Sequence, residues 1–274
     1  MPAVAFAYDG CSLVDFLDLF IFAPRPDRLD RRRMMTQYTA TVEKRFKSPG
    51  PQPNALQATD DGLWILDQVT VKAQKVDWET GAVLAELDTD TEHSSGITLG
   101  AGAMWISSTF GLDIVKLDPA TGETLERYSD PGRGHVAAVE GRPDARESSC
   151  HGLEWRAGRL YCASPPTQTI HVMEVATWTE VERYPSCGLR VHGVGWHDER
   201  HLWVADTSSG TVMLMDTRRQ GRVRQVFRVA EPNEVHGMTV RPGATPEEGE
   251  IWYCDALTCD VGILHRNYES RPQD

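Results

Sequence analysis

Three histidines stand immediately before a glycine, at corresponding points of three similar segments: His151, His192 and His236. Neutral imidazoles are common ligands of divalent transition-metal ions, and three of them leave a coordination position open for water or a substrate. Isolated histidines are often structural, bonded only to a backbone carbonyl. Three at the same point of three repeats instead predict a shared metal site, provided that the fold brings them together.

A repeated strand pattern follows each of these positions. It is an apolar residue, then Trp or Tyr, ending three residues later in Asp or Ser. It occupies residues 63–67, 104–108, 160–164, 202–206 and 251–255. The corresponding earlier positions, here called the ring positions, are Asn54, Ser95, His151, His192 and His236, at intervals of 41 to 56 residues. An internal repeat of this period predicts a solenoid or a propeller, in which equivalent positions approach one axis.

Each repeat has room for four short strands, but the last repeat ends after its third. Residues 38–46 alternate like the other fourth strands and lie just before the first ring position. Such a strand would close a ring and leave no sheet edge open. We therefore predict an all-β fold, a single β-propeller over residues 35–274 with five four-stranded blades, closed by an N-terminal strand. Residues 1–34 match no repeat and are predicted to be an appendage; a sixth blade there is the alternative.

Composition limits the partners and the compartment. The net charge of −12 argues against nucleic acid and anionic membranes as partners. The apolar stretch at residues 13–23 is interrupted by Asp15 and Asp18, which argues against a signal peptide. The six cysteines match no metal-binding spacing and are expected to be free thiols in a reducing, cytoplasmic compartment.

A second set of polar residues lies two positions before the ring positions: Gln52, His93, Ser149, Arg190 and Glu234. Residues i and i−2 of a strand share a face, so this set predicts a polar rim around the metal; a solvated loop is the alternative. Glu234 is a candidate general base or extra ligand, and Arg190 a candidate for holding a carboxylate or oxyanion. His93 is a candidate general acid. Asn54 is a candidate fourth metal ligand or substrate donor.

Further residues receive supporting roles. Asp206 and Asp255 end the second strands of the repeats that supply His192 and His236, so each could orient a metal-bound imidazole; a turn-forming Asp is the alternative. Cys150 is expected to be a buried thiol. The long interval between Ser95 and His151 places an insertion around residues 133–149, expected to cover the mouth of the channel or to be a plain surface loop. The repeated Trp and Tyr residues are expected in the core between blades: Trp64, Trp105, Tyr161, Trp203 and Trp252.

The repeat pattern over roughly residues 38–266 resembles that of the YVTN, SMP-30-type and virginiamycin B lyase-like propellers. Glu234-Val235-His236, with His192 one repeat earlier, looks like the Glu-x-His plus His arrangement of virginiamycin B lyase. In that family these residues serve a Mg-dependent elimination that opens a cyclic depsipeptide at its ester. That family has seven blades, its Pro-x-Gly-Ile phrase is mostly absent here, and a third histidine is more than Mg requires.

Five-bladed glutaminyl cyclases of plant type offer a second comparison. Their Phe-Gly-Glu-Gly and Asn-Glu-Leu-Glu phrases are not found here, so their activity is not carried over.

The sequence thus predicts a metal-dependent enzyme for a small or medium organic substrate that can be anionic. It would act by elimination or by hydrolysis of an ester or lactone. One divalent ion would be the cofactor, with Zn, Mn or Fe preferred over Mg or Cu. Two alternatives stay open: a non-catalytic propeller that binds a protein or a metabolite, and an iron oxygenase with three histidine ligands.

Overall fold

The computed structural model describes residues 37–136, 146–230, 233–243 and 245–268. The predicted appendage of residues 1–34, with Cys11, lies outside the described residues, as do residues 137–145 of the insertion. The strands are β1 Gln37–Lys47, β2 Pro53–Thr59, β3 Gly62–Asp67, β4 Lys72–Val76, β5 Val83–Asp88, β6 Ser94–Gly100, β7 Ala103–Ser108, β8 Asp113–Leu117, β9 Thr124–Ser129, β10 Gly134–His135, β11 Glu147–Ser148, β12 Gly152–Arg156, β13 Arg159–Ser164, β14 Thr169–Glu174, β15 Thr179–Pro185, β16 Val191–Trp196, β17 His201–Asp206, β18 Thr211–Asp216, β19 Arg222–Val229, β20 Val235–Arg241, β21 Glu250–Asp255 and β22 Asp260–Asn267. Two short 3₁₀ helices cover Thr217–Arg219 and Pro246–Glu248.

The described strands form five antiparallel units of four strands each. Four units are continuous in sequence: β2–β5, β6–β9, β12–β15 and β16–β19. The fifth contains β20, β21 and β22, with β1 as its outer strand. The first strands of neighbouring units contact one another in the cycle β2, β6, β12, β16, β20 and back to β2. This closed cycle of inner strands has the architecture predicted from the repeats and is consistent with five blades.

The turn between the third and fourth strands shows why the repeat carries an Asp and a Gly. In the first unit, Asp77 Oδ1 accepts hydrogen bonds from the backbone N–H groups of Glu79 and Thr80, at 3.1 and 2.9 Å. Gly81 follows with φ +70°, a left-handed conformation that disfavours other residues. The same Asp-to-Gly turn recurs at Asp118, whose Oδ1 accepts the N–H of Ala120 at 2.7 Å.

The hydrophobic core lies between units rather than within them. The second strands are buried along their length, since every residue of β3 and β7 is buried. Each core cluster joins two neighbouring units; for example, Trp203 of the fourth unit packs with Tyr253 of the fifth. The repeated aromatic residues are all buried, as predicted: Trp64, Trp105, Tyr161, Trp203 and Trp252. Removing any one would expose apolar surface on two units at once.

Strand β1 closes the ring. Its residues 39–47 pair antiparallel with β22, and its first residues pair parallel with β19 of the preceding unit. The buried carboxylate of Asp260 receives Lys44 and Lys47 from β1, both at 2.7 Å. These ion pairs hold the pKa of Asp260 down at about 2, against the desolvation that burial imposes. The N-terminal strand predicted from residues 38–46 is therefore in place.

The composition predicted free cysteines and argued against anionic membranes as partners, and the described residues bear on the cysteines and on membrane-spanning helices. Cys150, Cys162, Cys187, Cys254 and Cys259 are free thiols there. No helix in the described part of the chain is long and apolar enough to cross a membrane.

Candidate functional site at the axial histidines

The ring positions lie at irregularities near the start of the inner strands. The pairing of β16 with β17 shifts register between Val191 and Val194, around His192. The pairing of β20 with β21 shifts in the same way around His236. A β-bulge turns a side chain out of the regular alternation, and bulges are common beside active sites. Here they direct the ring-position side chains towards the axis.

The glycine after each histidine permits the inner strands to approach. A Cβ atom at Gly152 would lie 1.8 Å from the carbonyl oxygen of His192, and one at Gly96 would lie 2.2 Å from that of His151. A Cβ at Gly237 would lie 2.6 Å from Cα of Ala55, in the first unit. The glycine of the repeated His-Gly pair is therefore explained by the close packing of neighbouring inner strands. This packing brings the histidines together.

The three imidazoles form one cluster. The rings of His151 and His192 have centroids 4.3 Å apart, and those of His192 and His236 are 4.8 Å apart, both pairs edge to face. His151 Nδ1 and His192 Nε2 are hydrogen-bonded at 2.9 Å. The convergence expected from the repeats is thus present in the structure.

All three histidines are buried, with 2–7% of each residue exposed. Burial is the largest cause of a lowered pKa in each, to about 3 for His151 and about 4 for His236, and well below its ordinary range for His192. Arg190 and the neighbouring imidazoles lower the pKa values further. The cluster is therefore neutral near pH 7, which is the protonation state that binds metal ions.

Several polar atoms in this cluster lack a partner among the described residues. They are Nδ1 of His192, Nδ1 of His236 and Oδ1 of Asn54. A buried polar atom without a hydrogen bond costs about 1–3 kcal/mol, so such atoms call for a ligand, an ion or a water. All three are atoms that coordinate divalent ions in proteins.

Asn54 and Ser95 occupy the other two ring positions. Asn54 Nδ2 donates to Gln68 Oε1 and, at 3.4 Å, to Ser95 Oγ. The amide is thereby fixed through its nitrogen, while its oxygen stays unpartnered. The axis thus has a histidine arc, formed by the third to fifth units, and an arc of neutral hydrogen-bonding groups, formed by the first two.

Glu234 and Arg190 lie beside the histidine arc. Glu234 Oε1 is 3.6 Å from His236 Nε2, and desolvation raises the pKa of Glu234 while the positive charge of Arg190 opposes that shift. Both side chains are partly exposed. Within the described chain, the Arg190 guanidinium has no hydrogen bond or ion pair. Glu234 and Arg190 thus place a carboxylate beside a guanidinium whose N–H donors are available to a ligand.

His93 is held at the edge of the cluster. Its ring stacks on Phe110, with centroids 4.0 Å apart, and its backbone is left-handed with φ +56°. The guanidinium of Arg146 lies over the Phe110 ring, 4.5 Å from its centre. Desolvation and Arg146 lower the pKa of His93, so the imidazole is neutral near pH 7.

The other two residues of the predicted rim have structural partners. Ser149 is buried, and its hydroxyl donates to the carbonyl of Thr109 at 3.1 Å. The backbone N–H of Gln52 donates to Asp67 Oδ2 at 2.5 Å. Bulges around the ring positions interrupt the strict alternation from which the rim was predicted.

The strand-end carboxylates hold backbone rather than imidazoles. Asp206 Oδ1 accepts the N–H of Arg190 at 3.0 Å, and Asp255 Oδ2 accepts the N–H of Glu234 at 2.9 Å. Of the two roles considered for Asp206 and Asp255, the turn-forming alternative therefore holds, and neither carboxylate bonds an imidazole within the described residues. These carboxylates instead fix the segments that carry Arg190 and Glu234, which is the turn-forming role of a strand-end Asp.

Sequence reasoning missed one residue of the cluster. Ser148 Oγ is 3.2 Å from His151 Nε2, within hydrogen-bonding distance. It belongs to β11, which pairs with β10, so the two ends of the insertion form a short ladder. The insertion matches no repeat, and no periodic signal marked Ser148. Cys150 is fully buried with a strongly raised pKa, which agrees with the predicted inert thiol.

The fit of a metal ion has two sides. The donor atoms are suitable, because three neutral imidazoles cluster and several polar atoms at the ring positions, including the Asn54 oxygen, lack partners. However, no group of three or more His, Cys, Asp or Glu side chains within the described ranges is arranged as a metal site. Two nitrogens on one tetrahedral Zn would be roughly 3.3 Å apart. This distance is longer than the 2.9 Å hydrogen bond between His151 Nδ1 and His192 Nε2. Metal binding would require this hydrogen bond to be exchanged for coordination.

Below the rings is a small cavity on the axis. It has a volume of about 10 Å³ and is lined by His192, Asn54, Ser95 and the glycines and apolar residues of the inner strands. A cavity on this scale holds about one water molecule.

Comparisons with known proteins agree with the architecture. No family model matches the chain, and no curated protein sequence matches it. The glutaminyl cyclase of Myxococcus xanthus superposes over 84% of this chain and 98% of its own, with a TM-score of 0.63 and 11% identity. A streptogramin B lyase superposes over 83% of this chain and 98% of its own, with a TM-score of 0.51 and 16% identity.

The chain has the β-propeller fold. The resemblance to virginiamycin B lyase-like propellers is thus confirmed for the fold alone. Identities of 11% and 16% carry no activity from either protein to this one. Both similar proteins are enzymes by name.

Proposed function

We propose that this propeller is a metal-dependent enzyme whose reactive centre is the axial histidine cluster. Its substrate is a small or medium organic molecule with an anionic group, which it cleaves by elimination or by hydrolysis of an ester or lactone. The observation that carries the proposal is the convergence of three neutral, buried imidazoles, two of which have an unpartnered Nδ1.

His151, His192 and His236 would hold one divalent ion, with Asn54 as a further oxygen donor. Zn, Mn or Fe suits this donor set better than Mg, which prefers oxygen ligands. Such an ion, when bound, polarises a carbonyl or lowers the pKa of a water molecule. The lowered imidazole pKa values support the proposal because the ligand nitrogens do not have to lose protons near pH 7.

Arg190 and Glu234 supply the remaining chemistry. The guanidinium of Arg190 would bind the carboxylate of the substrate by two parallel hydrogen bonds. Glu234 would remove a proton, and desolvation, which raises its pKa, makes it a stronger base than an exposed carboxylate. In an elimination the proton comes from the carbon adjacent to the one that bears the leaving ester oxygen, so that a C=C bond forms as the C–O bond breaks, and in a hydrolysis it comes from water.

The role of His93 as a general acid remains part of the proposal, but it requires a proton that the neutral imidazole must first receive. The imidazole is neutral near pH 7 because its pKa is lowered, so it accepts a proton more readily than it donates one. A general-acid role requires that it first receive the proton that Glu234 removes. Its stacking on Phe110 would hold the ring in place during such a transfer.

A second candidate is a non-catalytic propeller that binds a metabolite or a protein. Two observations favour it: the direct hydrogen bond between His151 and His192, and the lack of a formed metal site among the described side chains. In that case the histidines stabilise the closed ring, and Arg190 with Glu234 forms a recognition surface.

The proposal can be tested with a panel of lactones and cyclic esters that carry a carboxylate. Protein incubated with Zn, Mn or Fe is assayed with and without chelator. Elimination opens a cyclic ester without adding mass, whereas hydrolysis adds one water, so mass spectrometry separates the two. We expect chelator-sensitive turnover, reduced about 100-fold or more in Glu234→Gln. Arg190→Gln should mainly raise KM for carboxylate substrates.

The matched control is Glu182→Gln, which removes an exposed carboxylate from an outer strand. It should keep full turnover. Turnover that survives both chelator and Glu234→Gln would contradict the assignment, and binding of panel members without turnover would favour the non-catalytic candidate.

A further inference from the structure

A second cavity lies at the other end of the inner strands. Its volume is about 390 Å³, and its walls include Gln57, Glu154, Arg156, Trp196 and His197. Glu154 is the third residue after His151 along the inner strand, so it lies about 10 Å from the histidine level. The cavity is therefore separate from the site of the proposed reaction and has the size of a small-molecule pocket.

Glu154 is the unusual group in this cavity. Only 7% of the residue is exposed, and its Oε2 accepts a hydrogen bond from the N–H of Trp155 at 3.0 Å. Within the described residues no cation forms an ion pair with it. Desolvation raises the pKa of Glu154 to about 8, against small opposing effects of the Trp155 N–H and Arg156. A buried carboxyl group without a counter-ion is costly to ionise and is seldom retained for packing alone.

Arg156, a cation that lines the same cavity, is engaged elsewhere. Its guanidinium lies over the Trp196 ring, 4.1 Å from the ring centre, and donates to the backbone carbonyl of Asp198. Among the described residues, Arg156 forms no ion pair with Glu154.

The remaining polar groups of the cavity are mostly acceptors. Gln57 Oε1 is buried without a partner in the described chain, because its Nε2 donates to the carbonyl of Ala58. The carboxylates of Asp60 and Asp198 also line the cavity, and Asp198 is bonded to His201. His197 has a pKa lowered by desolvation, so it adds no charge near pH 7. The lining thus has more acceptors than donors and lacks a cation that faces Glu154.

We propose that this cavity binds a small organic molecule with a protonated primary amine, whose ammonium group is the counter-ion of Glu154. The amine would donate to Glu154 and Gln57, and its carbon chain would lie along the plane of Trp196 and Arg156. A bare metal ion fits less well, since hard cations need six or more close oxygen ligands and the cavity is far larger than an ion.

Binding should release a proton from the protein, because Glu154 is protonated in the empty cavity and ionised against the ammonium group. The proton passes to the buffer. Titration calorimetry with n-butylammonium chloride at pH 6.5, in two buffers of different ionisation enthalpy, measures this release. We expect saturable binding with roughly one proton released per ligand. The neutral analogue n-butanol should bind at least tenfold more weakly.

Glu154→Gln keeps the shape and the hydrogen bonds of the protonated side chain, so the protein should fold as the wild type does. It should lose at least tenfold in affinity for n-butylammonium and release no proton. The matched control, Glu182→Gln, should bind as the wild type does. Unsaturable binding in the wild type, undiminished affinity in Glu154→Gln, or preferential binding of Ca²⁺ at Glu154 would overturn the proposal. His192→Ala should leave this binding intact, so the outcome is independent of the axial histidines.

Discussion

The two ends of the inner strands bury ionisable groups in opposite ways. At one end, neutral imidazoles pack against each other and burial lowers their pKa values. At the other end, a single carboxyl group, Glu154, is buried without a cation and its pKa rises to about 8. The three imidazoles and the Glu154 carboxyl group are all uncharged near pH 7 in the ligand-free protein. One end therefore offers lone pairs to a metal ion, and the other offers a latent negative charge to an organic cation.

The histidine end depends on backbone proximity, and breaking that proximity should have the largest effect. Gly152→Ala would place a Cβ 1.8 Å from the carbonyl oxygen of His192. We expect the free energy of unfolding to fall by about 3 kcal/mol or more, or the protein not to fold. Gly210→Ala, where no atom lies within 4 Å and only the left-handed φ of +60° is strained, should cost about 1 kcal/mol. Urea denaturation distinguishes the two, and equal costs would contradict the close-packing explanation.

The pH dependence of stability should differ in sign between the two ends. For metal-free protein, His236 has a folded pKa of about 4 and an ordinary value of 6.5, so the unfolded chain takes up the proton first. Its contribution is present above pH 6.5 and lost as the pH falls towards 4. Glu154 has a folded pKa of about 8 and an ordinary value of 4.5, so its contribution is present below pH 4.5 and lost as the pH rises through 8.

Variants should separate these contributions in denaturation curves measured from pH 4 to pH 9. Relative to the wild type, His236→Asn should flatten the acid side by about 2–3 kcal/mol, and Glu154→Gln should flatten the alkaline side by about 3 kcal/mol. If both variants changed the same side, the contrast between the two ends would be wrong.

A smaller effect should sharpen the description of the histidine end. Ser148→Ala removes the hydroxyl 3.2 Å from His151 Nε2 and leaves that nitrogen without its partner. The free energy of unfolding should fall by about 1 kcal/mol. Ser149→Ala, which removes a hydrogen bond to the Thr109 carbonyl instead, should cost a similar amount without affecting His151. Nuclear magnetic resonance of the imidazole nitrogens would show whether His151 responds only to Ser148→Ala.

The features of the fold and site that could be predicted from the sequence are those that recur in the repeats. The closing strand, the core tryptophans and the meeting of His151, His192 and His236 all follow from equivalent positions around an axis. Ser148 escaped notice because it belongs to an insertion with no periodic pattern. For Asp206 the turn-forming alternative holds, because a strand-end carboxylate satisfies its own turn before it can reach a ring. Glu154 had a readable signal, a carboxylate between Leu153 and Trp155 on an inner strand, but its lack of a counter-ion required the structure.

The most direct test of the central claim is metal content by elemental analysis, after incubation with Zn, Mn, Fe, Mg or Cu and removal of loosely bound ions. Wild-type protein should retain about one ion per chain, and His192→Ala should retain none. Fe or Cu would direct attention to oxidation, including the three-histidine oxygenase, whereas Zn or Mn would support elimination or hydrolysis. An ion-free wild type, or a variant that keeps its ion, would show that the axial histidines do not form a metal centre.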